Sequence, residues 1–335
     1  MSLLYSSAIP TESVTAIEAA LIKVFNTTDV TSISLLAGGL SGAAVYKIVV
    51  GNQPYVLKLN AANNTAASTD NLALAAAAGI APSLKYEDKP AGIVISDFID
   101  NQPVRATFAP DKLIEKLADA IKAVHAIPFN GEGKDLFETV DALIEQFKNA
   151  KLLSGPLFDE CFRYYETIKY RYPRTASDKV FSHNDLNPTN ILGDGERIWI
   201  IDWDVAYLND RYVDLANAAN FFVQTPAQEH VLLNTYFDHV VDDHKMARFY
   251  VMRQVCRIIY SLLMFQLAGQ QKPAGYTHDQ EMEGIDLRAF GSLMALGKLS
   301  LAEYEGQLMY GKALFNEAVQ QMRTPRFADA MAQFE

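Results

Sequence analysis

The residues best suited to do chemistry in this chain lie in one short stretch. His183–Asn190 reads HNDLNPTN, and the run WIIDWD follows from Trp199. Asp185 is followed five residues later by Asn190, and twelve residues after that by Asp202, each where a strand is expected to give way to a turn. Oxygen ligands suit Mg²⁺, which usually arrives with nucleotide phosphates, and a carboxylate off the metal could accept a hydroxyl proton. The spacing therefore favours phosphoryl transfer.

A simpler interpretation of the same stretch is that it contains only turns. Asp-Leu-Asn-Pro and Asp-Gly-Glu are ordinary turn sequences, in which polar residues gather without catalysing anything. A turn does not, however, require His, Asp, Asn and Asp at these offsets beside two β-type runs. We therefore favour a catalytic site.

The motif HxDxxxxN followed by IDWD resembles the catalytic core of the aminoglycoside phosphotransferase and choline kinase family, which has the protein-kinase-like fold. The resemblance implies that Asp185 is the catalytic base and that Asn190 and Asp202 bind Mg²⁺. It implies that His183 supports the loop, and that ATP is the phosphoryl donor. The expected fold class is α+β and bilobal, with the active site in the cleft between the lobes.

The elements predicted along the chain fit this architecture. Residues 1–100 form the expected small, β-rich nucleotide-binding lobe, and residues 101–335 the larger, mostly helical catalytic and substrate-binding lobe. In the first lobe the patterns predict helices over 11–25 and 66–78 and strands over 32–36, 43–50, 54–59, 83–86 and 92–99. In the second, a helix begins at Pro110, a β-type segment spans 180–201, and further helices are predicted over 135–151, 159–170, 212–222, 228–241, 246–270, 279–296 and 301–322.

A glycine-bearing segment between two predicted strands could approach nucleotide phosphates with its backbone amides. Its candidate residues are Gly38, Gly39, Ser41 and Gly42. The segment is not a Walker A loop, since it lacks the Gly-Lys-Ser/Thr ending. Lys58 follows on a predicted strand, sixteen residues after Gly42, and resembles the phosphate-binding lysine of the kinase third strand.

Two further features bear on nucleotide binding. Asp97 and Phe98 end the last strand of the first lobe, where the kinase hinge offers backbone groups to adenine. The family normally pairs the strand lysine with a glutamate on the following helix. Between Asn60 and Ala78 the one acid is Asp70, so either Asp70 pairs with Lys58 or the pair is absent.

The segment after Asp202 indicates the kind of acceptor. Eleven residues separate Asp202 from Asp214, too few for the long segment with which a protein kinase docks a peptide. We therefore expect a small-molecule hydroxyl acceptor. Candidate residues for binding a choline- or ethanolamine-like cationic head group through negative charge and aromatic faces are Asp204, Tyr207, Asp210 and Phe222.

Other acceptors and another class of protein remain open. Eukaryotic choline kinases carry an aromatic residue and an acid where this chain has Val205 and Phe221, and aromatic residues at helical spacing belong more often to a core. An aminoglycoside, sugar or homoserine-type kinase would use the same catalytic residues. A catalytically weak, nucleotide-binding pseudokinase would explain the missing glutamate.

Composition narrows the class of protein. The formal net charge of -11 argues against binding to nucleic acid or to an anionic membrane. Cys161 and Cys256 form no zinc spacing and no disulfide framework, which favours a reducing cytoplasm. The N-terminus lacks the pattern of a signal peptide. The apolar segment 258–268 is short and carries polar residues, so we expect a buried helix rather than a membrane span.

Overall fold

The structure is a computed structural model that describes residues 9–36, 43–60, 66–275 and 286–335, without the side chains of 66–69. Contacts along the chain separate it into two compact units. Unit 1 comprises Met1–Phe129 and Phe181–Tyr207, and unit 2 comprises Asn130–Val180 and Leu208–Glu335. Residues 181–207, which contain the candidate catalytic residues, thus belong with the N-terminal part of the chain, although some fifty residues separate the two in sequence.

Unit 1 is built around an antiparallel sheet of five strands in the order β1-β2-β3-β5-β4. The strands are β1 (Ser32–Leu35), β2 (Ala44–Val50), β3 (Gln53–Leu59), β4 (Leu84–Asp88) and β5 (Ile93–Asp97). Gly51 and Asn52 join β2 to β3, both with positive φ (54° and 72°), as a tight hairpin turn requires. The predicted hairpin is confirmed, and the predicted limits of the five strands agree with the structure to within two residues.

One face of this sheet packs against an N-terminal helix, α1 (Val14–Phe25), which a 3-10 turn at Thr11–Ser13 precedes. Leu57 of β3 is fully buried in the cluster that this helix covers, and partly buried Leu59 packs against the same cluster. Because successive side chains of a strand point to opposite faces, Lys58 projects from the other face of the sheet. The alternation of β3 therefore aims the lysine away from the core of unit 1.

The remaining elements of unit 1 bring the catalytic segment to the sheet. They are α2 (Ala66–Ala77), α3 (Val104–Thr107), α4 (Pro110–His125), β7 (Ile191–Gly193) and β8 (Ile198–Ile200). Gln102 N donates to the Gly193 carbonyl at 2.7 Å, and Gly193 N donates to Asn101 Oδ1 at 3.0 Å. The predicted lobe boundary after residue 100 thus lies inside unit 1, and the two-lobe division at that residue stays a prediction.

Unit 2 consists mainly of helices. They are α5 (Leu136–Ala150), α6 (Pro156–Arg171), α7 (Arg211–Phe222), α8 (Pro226–Tyr236), α9 (Asp243–Gln271), α10 (Leu287–Ala295), α11 (Tyr304–Met322) and α12 (Pro325–Ala332). Strands β6 (Lys179–Ser182) and β9 (Tyr207–Asp210) lie where the chain passes between the units. A cluster of aromatic rings fills the interior of unit 2 around Phe147, Phe158, Phe265 and Phe315.

Helix α9 is long and apolar enough to cross a membrane by length and composition. Within the protein, however, 72% of its most apolar window is buried. Ile258 and Leu262 are buried on this helix, as predicted for the segment 258–268. The helix therefore has the burial typical of a core helix.

Some predicted helix limits were wrong for identifiable reasons. The helix predicted over 228–241 ends at Tyr236, because Asp238 and His239 adopt positive φ and cannot continue it. The short helices α3 and α12 were missed, since neither is long enough to show a period. Thr324-Pro325 at the start of α12 was a start signal that pattern reasoning overlooked. Of the helix predicted over 279–296, residues 279–285 lie outside the described residues.

Candidate active site

The β7–β8 hairpin brings two of the predicted site residues together. Ile191 pairs with Ile200 in the antiparallel register, and Ile201 N donates to the Asn190 carbonyl at 3.0 Å. Asn190 directly precedes the hairpin, and Asp202 follows it after Ile201. The eleven residues between Asn190 and Asp202 thus form a closed hairpin that brings the two site residues to its base.

Hydrogen bonds join the predicted base to the predicted amide ligand. Asn190 Nδ2 donates to the Asp185 carbonyl at 2.9 Å and to Asp185 Oδ2 at 3.0 Å. Asn187 Nδ2 donates to the same Oδ2 at 3.0 Å. With its amide nitrogen turned to Asp185, Asn190 keeps its amide oxygen for another partner, and an amide oxygen is a suitable Mg²⁺ ligand.

His183 is fully buried behind this loop. Asp185 N lies 3.3 Å from His183 Nδ1, and Nε2 lies 3.0 Å from the Ile201 carbonyl. Because an amide N–H can only donate, Nδ1 is the acceptor and Nε2 carries the proton given to Ile201. The ring also packs edge-on against Trp203, with centroids 4.7 Å apart. These contacts tie the Asp185 loop to the chain before Asp202, as expected for a supporting residue.

Lys58 meets two carboxylates. Its Nζ lies 3.1 Å from Asp204 Oδ1 and 3.5 Å from Asp202 Oδ1, and the lysine side chain is 20% exposed. The acids that pair with Lys58 in the structure are therefore Asp204 and Asp202. Asp70 instead bonds Lys89 at 2.6 Å, so the idea that Asp70 replaces the family glutamate is wrong. The acids that reach Lys58 come from the segment after β8.

The electrostatics around Asp202 suit a cation. Burial raises the pKa of Asp202, Lys58 opposes that rise and Asp204 adds to it. Two carboxylates facing one ammonium leave an excess negative charge when all three are ionised. No cluster of three His, Cys, Asp or Glu side chains is placed to hold a metal in the parts of the chain that the structure describes. Asn190 and Asp202 therefore fit Mg²⁺ that brings phosphate oxygens to complete its shell.

Two asparagines position the chain around Asp204, and pattern reasoning missed both roles. Asn71 on α2 is buried and donates to the carbonyls of Trp203 (3.3 Å) and Ala206 (2.9 Å). Asn184, at φ 68°, donates to the Val205 carbonyl at 2.9 Å. The available signal for Asn71 was an amide directly before the apolar run 72–77 of the alanine-rich helix α2, since a buried amide must find partners.

Of the other residues predicted to bind the nucleotide, the structure describes Asp97 and Phe98. Gly38, Gly39, Ser41 and Gly42 lie outside the described residues. Asp97 ends β5, where its carboxylate pairs with Lys85 at 3.0 Å, and Lys47 Nζ lies 4.1 Å from the centre of the Phe98 ring. Their proposed contact with adenine through the main chain stays a prediction.

The four candidate acceptor residues are divided between the units. Asp204 and half-buried Tyr207 belong to unit 1, and Asp210 and Phe222 to unit 2. Asp210 accepts from Tyr212 N at 2.9 Å as the cap of α7 and pairs with Arg248 at 2.8 Å. Phe222 is 6% exposed. Asp210 and Phe222 therefore have structural contacts that explain them, and an acceptor role for the four stays a prediction.

Comparison with solved structures identifies the fold. A choline/ethanolamine kinase family protein from Mesorhizobium loti is 19% identical, with a TM-score of 0.69 over 96% of this chain and 99% of that one. Choline kinase LicA from Streptococcus pneumoniae is 18% identical, with a TM-score of 0.58 over 92% and 98%. A GDP complex of an aminoglycoside 2'-phosphotransferase-IIIa is 16% identical, with a TM-score of 0.57 over 76% and 92%. The predicted α+β, kinase-like fold is confirmed.

The sequence also matches a model of a protein family. The model described as APH, phosphotransferase enzyme family, matches residues 32–249, which is more than half of the chain. The matched region begins at β1, includes Lys58 and the whole segment from His183 to Asp204, and ends within α9. The chain belongs to the APH phosphotransferase enzyme family.

Proposed function

We propose that the protein is an ATP-dependent kinase that transfers the γ-phosphate to a hydroxyl group of a small molecule. The observation that supports this most is the arrangement within unit 1. Asp185 bonds to Asn190, Asn190 adjoins Asp202 across the base of a hairpin, and Asp202 pairs with Lys58. Base, metal ligands and a phosphate-binding cation thus form one connected set in a chain of the phosphotransferase family.

Asp185 is the group that would accept the proton of the attacking hydroxyl. The amide bonds from Asn187 and Asn190 both reach its Oδ2 and hold the carboxylate in one orientation. A carboxylate held in one orientation within reach of the acceptor hydroxyl is the geometry that general-base catalysis needs. The phosphoryl group would pass directly to the acceptor oxygen as the hydroxyl proton passes to Asp185.

Asn190 and Asp202 would hold the Mg²⁺ that accompanies ATP. When bound, the ion neutralises charge on the β- and γ-phosphates. Lys58 would add an ammonium group facing the same phosphates. Its present partners, Asp202 and Asp204, keep that ammonium near the metal ligands.

The acceptor is proposed as a class rather than a compound. The short segment between Asp202 and Asp214 suits a small molecule, and the named neighbours act on choline and on aminoglycosides. A cationic head group has weaker support than the hydroxyl itself, because Asp204 and Asp210 already pair with Lys58 and Arg248. An aminoglycoside, sugar or homoserine-type acceptor is the alternative within the same family.

A panel of acceptors tests the proposal. ADP release would be measured with choline, ethanolamine, an aminoglycoside, a simple sugar and homoserine, in the presence of MgATP. With the best acceptor, Asp185→Asn should lower kcat by roughly 10²–10⁴-fold, the range for loss of a general base. The control is Asp70→Asn, which removes a carboxylate of unit 1 that pairs only with exposed Lys89 among the described residues. Near-normal turnover by Asp185→Asn would refute the assigned base.

A further inference from the structure

Unit 2 contains a polar cavity of about 570 Å³. Helices α7, α9, α11 and α12 contribute to its wall, together with the starts of α8 and α10. Its volume lies within the range of small-molecule sites. All of its lining residues belong to unit 2, so its geometry is defined independently of the catalytic residues of unit 1.

The charged groups of the cavity wall leave positive charge in excess. Among the residues that the structure describes, four arginines and three acids line it, so the ionised groups carry one net positive charge in a chain whose formal net charge is -11. One acid is shared: Glu229 pairs with Arg253 through Oε1 and with Arg326 through Oε2 at 2.6 Å. A second acid, Asp286, accepts from Ala289 N at 2.6 Å as the cap of α10. The guanidinium groups thus outnumber the carboxylates able to neutralise them.

Arg257 is the arginine whose bonding is least complete. It is 7% exposed, and its Nη1 donates to Gln254 Oε1 at 2.6 Å. Its Nη2 lies 3.9 Å from Glu317 Oε1, too far for a hydrogen bond. Its Nε is buried and has no hydrogen-bond partner within the described ranges. A buried donor left without an acceptor costs stability that a bound acceptor would restore.

The electrostatic surroundings of Arg257 favour a negative partner. Burial, with a smaller contribution from neighbouring Arg253, lowers the pKa of Arg257 to about 10, and Glu317 opposes the shift. The side chain remains protonated at neutral pH. Its charge is held at a desolvation cost that a negatively charged ligand would offset.

We propose that this cavity binds a small organic anion, whose carboxylate or phosphate oxygens accept hydrogen bonds from Arg257 and its neighbouring arginines. The planar guanidinium group suits both oxyanions, since each can take two parallel N–H bonds. Arg288, exposed at the start of α10, supplies a further cation at the rim. The ligand class is opposite in charge to the cationic acceptor considered for the catalytic site.

Calorimetric titration of the full chain at constant ionic strength tests this site. The probes are inorganic phosphate and malonate, and choline chloride is the cationic comparison. Saturable binding of phosphate or malonate is expected, and the tighter of the two indicates a phosphate ester or a carboxylate. Absence of saturable binding by both oxyanions would overturn the proposal.

Substitutions place the binding in the cavity. Arg257→Met should weaken the oxyanion by more than about tenfold, the effect of losing a charge-assisted hydrogen bond, and Arg257→Lys should weaken it less. Arg288 is exposed, so Arg288→Met should not disturb the interior of unit 2. This variant should weaken oxyanion binding measurably, and it tests the site even if Arg257→Met fails to fold. The control is Arg323→Met, which removes a cation paired with Glu160 outside the cavity. Equal affinity in the wild type, the Arg288 variant and the control would refute the site.

Discussion

At the scale of single residues, amide groups do much of the positioning in this site. Asn190 and Asn187 orient the Asp185 carboxylate, and Asn71 and Asn184 hold the carbonyls on either side of Asp204. An amide can donate and accept without adding charge. It therefore fixes loop geometry without disturbing the balance between the carboxylates and Lys58.

Asn71→Ala tests this positioning role. The substitution removes the Asn71 donor from the Ala206 carbonyl and one of the two donors of the Trp203 carbonyl, which also accepts from Ala206 N at 3.3 Å. The loss should cost about 1–3 kcal/mol of the free energy of unfolding. It should also weaken Mg²⁺-dependent ATP binding, because Asp202 and Asp204 lie on the released segment. Urea unfolding and calorimetry measure the two effects. Asn149→Ala, at an exposed helix position, should change neither.

At the scale of elements, unit 2 joins its helices through a buried arginine. Arg248 on α9 is 3% exposed and pairs with Asp178, before β6, and with Asp210, the cap of α7. The rings of Tyr172 and Tyr212 lie 5.2 and 4.5 Å from its guanidinium carbon. One side chain thus connects the start of α7 to the central helix.

Arg248→Met should therefore destabilise the fold strongly. Removing the guanidinium leaves the largely buried Asp210 carboxylate without its cation, whereas Asp178 keeps its pair with Arg211 at 3.2 Å. Breaking a buried pair on one side costs about 3–5 kcal/mol. The measurement is the urea midpoint of unfolding. Arg323→Met breaks a more exposed pair with Glu160 and should cost at most about 1 kcal/mol. Equal midpoints for the two variants would contradict this role of Arg248.

Much of the fold followed from local patterns. Two β-type runs separated by the Gly51-Asn52 turn predicted the hairpin that presents Lys58, and apolar periodicity predicted α4 and α9. The motif also predicted that Asn190 and Asp202 flank one hairpin. The partners of Lys58 could not be predicted, because they come from a segment more than 140 residues away. The same holds for the cavity of unit 2, since its arginines come from separate helices.

At the scale of the whole molecule, unit 1 is formed from two separate stretches of the sequence. Residues 181–207 pack with the N-terminal part, so Lys58, Asp185, Asn190 and Asp202 share one compact unit. Binding of MgATP to these residues should stabilise the folded chain by mass action, by about 2.7 kcal/mol at a free concentration one hundred times Kd. A rise in Tm with MgATP concentration is the expected readout.

Calorimetric titration of the protein with ATP, with and without Mg²⁺, tests the proposed metal site most directly. We expect binding that weakens strongly when Mg²⁺ is removed by chelation. Asp202→Asn should lose the Mg²⁺-dependent part, whereas Asp70→Asn should keep it, because Asp70 pairs with Lys89 instead. ATP binding of equal affinity with and without Mg²⁺, unchanged in Asp202→Asn, would contradict the proposal that Asn190 and Asp202 hold the metal for phosphoryl transfer.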